Sequence, residues 1–385
     1  MLDSFDVMLY AMVLSYMMND LGMAKSTAGL LGSLTLVASA AGGMVFGLVA
    51  DRYGRTRALR ASILLYSLFT AACGLARTVP QLAVFRVCLG LGMGGEWASG
   101  ASLVSETWPA EHRGKALGFM QSFWAVGYAC AALVTALILP RWGWRAVFFV
   151  GVLPALLTLW IRAKVKEPEM WLAQAGKASQ GGTRGTSPGL SRNLKAVTAA
   201  VTVMNASTMF AWWGLNLWIP GYLSLPRDQG GLGLSTQLMS AFVIFMQLGM
   251  WLGYLTFGFI SDWIGRKKTY VTFLVAASVL VSAYSLVRMP VPLFFLGPFV
   301  AFFGTGYFSG FGALTAELYP TRIRATAQGF TYNIGRIASA AAPIAVGSLA
   351  QTRGFGAAFL LTSAAFVVAA LMWFGIPETR GKELE

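Results

Sequence analysis

The chain has 385 residues, 56% of them hydrophobic and 11% charged, and a mean hydropathy of +0.63. A soluble domain carries roughly a quarter of its residues as charges, so a soluble enzyme or binding module is excluded and an integral membrane protein is expected. The net charge of +14 is scattered along loops between apolar segments rather than gathered on one face, and no nucleic-acid partner is expected.

Twelve apolar segments approach the ~20 residues that cross a ~30 Å hydrocarbon core. The first, 1–19, carries Asp3 and Asp6 near its start. It begins at Met1 without a polar lead or a cleavable signal, so a trimmed start or one further upstream is expected. The second, 27–50, ends in Gly47-x-x-x-Asp51-x-x-Gly54-Arg55. The third is 58–76; the fourth, 81–106, holds Arg86 and Glu96 and closes on Glu106-x-x-Pro109-x-x-x-Arg113. Segments 114–139 and 144–163 follow. The stretch from Gly176 to Arg192 is basic and rich in Gly, Ser and Thr, and reads as a flexible linker. The remaining segments are 194–223, 236–260, 269–287, 291–316, 323–350 and 355–376. Alternation of apolar and polar residues is absent, which argues against a β-barrel.

Two patterns recur at one offset of 211 residues, taking Asp51 to Asp262. Gly258-x-x-x-Asp262-x-x-Gly265-Arg266 repeats the loop after the second segment, and Glu317-x-x-Pro320-x-x-x-Arg324 repeats the one after the fourth. Half of the protein is therefore a copy of the other half. In a membrane protein such a repeat is the build of a secondary transporter, with its site between the copies.

With the first segment running outward, most of the 29 Lys and Arg fall on the inner side, among them Arg52, Arg57, Lys164, Lys267 and Lys268. The outer exceptions are Lys25, Arg77, Arg141, Arg145, Arg227, Arg288 and Arg353. This bias places both termini in the cytoplasm. Cys73, Cys88 and Cys130 lie in apolar segments without metal-ligand spacing, and no nucleophile, metal or acid–base motif of an enzyme is present. No metal, cofactor or catalytic residue is expected. Gly43/Gly47, Gly90/Gly94 and Gly114/Gly118 have the spacing that brings helix backbones close, here within one molecule.

The paired loops, with Arg86-x-x-x-Gly90-x-Gly92-x-Gly94, resemble the major facilitator superfamily over nearly the whole chain. The resemblance implies an all-α membrane protein of twelve transmembrane helices in two pseudo-symmetric six-helix bundles. These are residues 1–165 and 193–385, joined by a cytoplasmic linker at 166–192. It further implies a monomer in a bacterial inner membrane, alternating access, and a central cavity lined by helices 1, 4, 7 and 10. Gly94-Gly95-Glu96-Trp97 with Glu106-Thr107-Trp108-Pro109 is most similar to the sialic acid:proton symporters. Asp3-Ser4-Phe5-Asp6 resembles the helix 1 motif of aromatic acid:proton symporters, with Ser4 in the place of Gly. Glu167-Pro168-Glu169-Met170-Trp171-Leu172 and Pro377-Glu378-Thr379-Arg380-Gly381 resemble signatures of sugar porters. These motifs agree on a solute porter and leave the substrate open.

The repeat separates architecture from chemistry. Asp51/Asp262, Arg55/Arg266, Glu106/Glu317 and Arg113/Arg324 occur in both halves, and the resemblance makes them inner-gate contacts; membrane-edge anchoring is the plainer alternative. Asp6, Arg86, Glu96 and Arg336 lack a charged counterpart, and a charge inside hydrocarbon is a functional candidate by default. From ~1.5 Å of rise per residue, Arg336 lies roughly 18 Å beyond Arg324 and Glu96 roughly 15 Å from Glu106, both near mid-membrane. Arg336, with Asn333 on the same face, suits a bidentate grip on a carboxylate; the alternative is an ion pair with Glu96 or Asp6. Glu96 and Asp6 are the proton-carrier candidates, with Asp3 beside them and Arg86 in a structural or coupling role. The only histidine, His112, is in a loop. Helical spacing adds Asn205, Trp212 and Asn216 on one face, Gln121, Trp124 and Tyr128 on another, and Tyr10, Gln247 and Tyr307 singly, each of them equally consistent with packing. The expected function is proton symport of a small organic anion of carboxylate, sialic acid or aromatic acid type. A neutral sugar or polyol porter is the alternative, with drug efflux behind it.

Overall fold

In the computed structural model the backbone is described for residues 1–107, 110–164 and 192–380; side chains at 51, 97–102, 105–117, 321–326 and a few single positions are outside the description. The expected linker falls outside the described residues. Those described form helices and short turns, without a strand. Lipid offers the backbone no hydrogen bonds, so each crossing satisfies its own amides within a helix.

In the first half these are α1 (Leu2–Leu21), α2 (Lys25–Tyr53), α3 (Arg55–Cys73), α4 (Val79–Thr107), α5 (Ala110–Val150) and α6 (Leu153–Lys164). The second half has α7 (Arg192–Ser224), α8 (Thr236–Ile264), α9 (Arg266–Leu286), α10 (Pro290–Thr305), α11 (Phe311–Leu318), α12 (Thr321–Ser339) and α13 (Ala341–Met372). Helices and crossings do not correspond one to one. α5 bends at Gly143, three residues after Pro140, and passes into the sixth crossing. α13 bends at Gly354 between the eleventh and twelfth. α10 and α11 share the tenth crossing across a short 3-10 turn, Gly306–Gly310. The chain thus has twelve crossings in two six-helix bundles. Among the described residues, seven stretches are by length and composition apolar enough to span a membrane. α1 and α4, which carry Asp3, Asp6, Arg86 and Glu96, are not among them.

The internal copy is visible in the backbone. Gly22, Gly54 and Gly143 adopt φ of 62°, 112° and 72°; Gly233, Gly265 and Gly354, each 211 residues later, adopt 68°, 103° and 80°. A side chain is strained at such angles, so glycine marks the same three turns in both halves. Within the first half, a Cβ at Gly90 or Gly94 would strike the α2 backbone at Thr35 or Ser39. The Gly90/Gly94 pair therefore packs α4 on α2, whereas Gly47 and Gly118 meet nothing within 4 Å. Large apolar side chains such as Leu48 and Phe259 face outward, where lipid covers them.

Candidate functional site

The halves meet closely at the end opposite the basic loops. A Cβ on Gly29 would collide with the Pro343 backbone, and one on Gly347 would sit 2.6 Å from the Lys25 carbonyl. Their absence lets α2 and α13 touch. Around them the Ser15 and Ser224 hydroxyls share a hydrogen bond of 2.7 Å, as do Tyr16 and Thr236 at 2.5 Å. The Ser26 N–H donates to Gln351 Oε1 at 3.2 Å, and Lys25 Nζ to the Gln229 carbonyl at 2.7 Å. Most of these bonds join neutral groups, each worth only about 0.5–1.5 kcal/mol net, so the seam can part and re-form.

Just inside the seam is a cavity of about 10 Å³, room for about one water, lined by residues of both halves including Val7, Arg86, Trp213 and Leu217. Arg86 is 1% exposed. Its guanidinium carbon lies 3.9 Å from the centre of the Tyr10 ring, and its Nε and Nη1 have no hydrogen-bond partner. The Tyr10 hydroxyl is committed to the Ala28 carbonyl at 2.8 Å. The cation is held by a ring face and retains free donors.

The carboxylates cluster nearer the start of α1, against α3. Asp6 is 1% exposed, and neither of its oxygens has a partner. It lies beside Thr70 of α3, whose hydroxyl donates to the Tyr66 carbonyl at 2.8 Å. Glu96 Oε2 and the Tyr66 hydroxyl are also buried without partners. Asp3, Asp6, Tyr66 and Glu96 lie within electrostatic reach of one another. Among the described residues no Lys or Arg forms an ion pair with Asp6 or Glu96.

Arg336 is 8% exposed and sits one turn beyond Tyr332 on α12. Among the described residues its side chain has neither hydrogen bond nor ion pair, so the alternative pairing with Glu96 or Asp6 is not formed. Asn333 is half-buried on the same helix. Several neutral candidates bond to backbone carbonyls. Asn205 Nδ2 donates to the Thr331 carbonyl at 3.1 Å, and Asn216 Nδ2 to the Trp212 carbonyl at 3.1 Å. Tyr128 donates to the Asn216 carbonyl at 3.2 Å and Tyr307 to that of Thr208 at 3.5 Å. Gln121 lies beside Tyr254 across the halves. Gln247 is buried with its Oε1 unpartnered.

Aromatic rings join the halves at the same level. Trp124 of α5 meets Trp212 and Trp213 of α7 edge-on, at 5.3 and 6.2 Å between ring centres, and Trp212 meets Phe308 at 6.2 Å. Sequence reasoning missed Trp213, Tyr66 and Thr70. Trp213 is one residue from the chosen face of α7, and its place at the cavity depends on how α7 is rotated.

Of the shared charges, the described ones of the second half pair with one another. Arg266 Nη1 donates to Asp262 Oδ1 at 2.5 Å and Nη2 to Glu317 Oε1 at 2.9 Å. The Thr379 hydroxyl donates to Glu317 Oε2 at 2.5 Å. Glu378 Oε1 accepts the Arg266 backbone N–H at 2.8 Å and Oε2 that of Lys267 at 3.1 Å, capping α9. Burial works to raise the Glu378 carboxyl, but the N–H groups of Arg380, Arg266, Lys267 and Thr379 outweigh it and hold the carboxyl below its ordinary value. Arg55 is the first residue of α3. The side chains of Asp51, Glu106, Arg113 and Arg324 lie outside the described residues. At the opposite end Asp20 accepts from Arg145 at 2.7 Å and from Trp144 at 3.1 Å, and is likewise held low, chiefly by the Arg145 hydrogen bond.

Buried charge within two repeated helical bundles is the build of a membrane transporter. The chain belongs to the Major Facilitator Superfamily, whose sequence profile matches residues 1–256 and 201–385. It is 30% identical to the cis,cis-muconate transport protein of Acinetobacter baylyi, over 97% of this chain and 90% of that one. It is also 30% identical to the sialic acid transporter NanX of Escherichia coli, over 97% and 91%. The fold matches a partially occluded inward open structure of the xylose transporter XylE from E. coli with a TM-score of 0.77, at 19% identity over 100% of this chain and 98% of that one.

Proposed function

We propose that this protein carries a small organic anion across the membrane together with protons, by alternating access. One observation carries the reading: buried acids and buried guanidiniums are both present and do not neutralise each other. Among the described residues Asp6 and Glu96 form no ion pair with Lys or Arg, and Arg86 and Arg336 form none with a carboxylate. An uncompensated charge in a low-dielectric interior is costly. A proton relieves the acid cluster and a substrate carboxylate relieves the guanidiniums, so the fully loaded site is the one best suited to cross. Cis,cis-muconate and sialic acid are both carboxylic acids, which supports an anionic cargo. The likeness to XylE extends to the fold alone.

In this reading the bundles, 1–165 and 193–385, rock about the cavity. Protons load on Glu96 and Asp6, with Asp3 at the rim, and the anion's carboxylate meets Arg336 from one half and Arg86 from the other. The neutral seam of Ser15, Ser224, Tyr16 and Thr236 closes behind the cargo. The repeated charges at Asp51, Arg55, Glu106 and Arg113 and at Asp262, Arg266, Glu317 and Arg324 govern the basic-loop end. That end faces the cytoplasm of a bacterial inner membrane, by the distribution of Lys and Arg, and the working unit is a monomer.

The test is current and internal pH in proteoliposomes under an inward proton gradient, with acids and neutral hexoses, for wild type and Arg336→Ala. Acidification driven by an acid and lost in the variant supports anion symport. A response to hexose alone, or one the variant leaves unchanged, overturns it.

A further inference from the structure

Resting on the anion reading, we infer that the cargo is a flat, conjugated carboxylate and that Trp124 and Trp213 select it. A polyhydroxylated acid needs many hydrogen-bonding side chains, because each buried hydroxyl left unmet costs about as much as a lost hydrogen bond. Four of the amides and hydroxyls of this region are spent on backbone carbonyls. Asn205 is bonded to Thr331, Asn216 to Trp212, Tyr128 to Asn216 and Tyr10 to Ala28.

Aromatic surface and free guanidinium donors remain. Trp213 lines the same cavity as Arg86, and Arg86 keeps Nε and Nη1 unbonded. Trp124, on the opposite half, meets Trp213 at 6.2 Å and 88°. This ring contact spans the two bundles, so their movement opens it and frees two indole faces beside a cation. A planar π-system fills such a slot by stacking, and its carboxylate reaches the guanidinium. A saturated ring of the same size offers neither flat face nor quadrupole.

The experiment uses the full-length protein in proteoliposomes and measures how benzoate, cyclohexanecarboxylate and gluconate compete with a radiolabelled flat acid, cis,cis-muconate. Each preference is a ratio within one preparation, so it does not depend on how much protein has folded. Wild type is expected to favour benzoate over cyclohexanecarboxylate by roughly three- to tenfold, the size of one aromatic contact, with gluconate weaker still. Trp213→Leu and Trp124→Leu bring the first ratio toward one, and Trp213→Phe restores most of it. Equal competition by benzoate and cyclohexanecarboxylate, or by gluconate, overturns the inference while leaving the anion reading intact. So does a benzoate preference that both leucine variants keep. Inhibition by neutral hexose but by none of the acids overturns the anion reading itself. If neither leucine variant binds, the wild-type ratios decide.

Discussion

Gly22, Gly54 and Gly143 turn the first half as Gly233, Gly265 and Gly354 turn the second, yet the four charges buried inside the bundles do not repeat. Moved by the same 211 residues, Asp6 falls on Leu217, Arg86 on Gly297 and Glu96 on Tyr307, while Arg336 comes from Ala125. Leu217 lines the cavity, and Tyr307 is bonded to a backbone carbonyl. The duplicated positions build the turns and helix ends. The unduplicated ones hold uncompensated charge: acids and one guanidinium in the first half, one guanidinium in the second. The copies share a scaffold and have divided the chemistry.

The sharpest way to break that division is to neutralise the acids. One proton per anion and a gradient of one pH unit support roughly a tenfold accumulation. Glu96→Gln, Asp6→Asn or both are expected to abolish it while exchange of labelled for unlabelled substrate continues. Uptake against a gradient and exchange, measured on the same vesicles, check this. Accumulation surviving in both single variants and in the double variant removes the proton role from the first half.

The guanidiniums come next. A hydrogen bond to a charged group is worth about 1.5–3 kcal/mol, so Arg86→Gln and Arg336→Gln should each weaken apparent affinity by roughly 10- to 100-fold. Lysine at either position keeps the charge but loses the fork and should recover only part. Substrate titration of transport gives both values. An effect at only one arginine would place the anion site within one half.

Much of this was legible in the sequence, for reasons particular to membranes. Crossings show as apolar runs because lipid leaves the backbone no other partner, and the repeat showed in Asp51/Asp262 and Glu106/Glu317 because turns and charged helix ends constrain residue type. The burial of Asp6, Arg86, Glu96 and Arg336 followed from position alone. What each one touches did not, since pairing depends on helix rotation and tilt. The alternative pairing of Arg336 with an acid is not formed, and Arg86, read as structural or coupling, lies on the cavity against Tyr10. Asn205 and Asn216 have the right spacing for a site, but their amides bond to nearby carbonyls. The GxxxG pairs were visible, whereas the cross-half approach at Gly29 and Gly347 was not, because its partners lie over 300 residues away in sequence.

That approach gives a smaller test. Gly29→Val places side-chain atoms on the Pro343 backbone and overpacks the seam by about 1–3 kcal/mol. At the middle of that range the equilibrium moves roughly thirtyfold toward the state open at this end. Cysteine introduced at Ser15 should then react faster with an impermeant maleimide, the native cysteines having been replaced. Unchanged labelling would show that α2 and α13 are not part of the gate.

The smallest expected effect concerns the end where the halves are most alike. Glu378 caps α9 as an anion, and its carboxyl is held below the ordinary value. A carboxyl lowered on folding contributes stability above its unfolded value, about 4.3 for Glu, and that contribution fades as pH falls through the folded value. Wild type should therefore lose more thermal stability than Glu378→Gln between about pH 5 and pH 3. Glu378 is exposed, so the difference should stay under ~1 kcal/mol. The position 211 residues earlier is Glu167, outside the described residues. Melting curves of Glu167→Gln over the same range complete the comparison. An equal loss of pH dependence assigns the cap to the duplicated scaffold, and a flat response at Glu167 makes it a property of the second half alone.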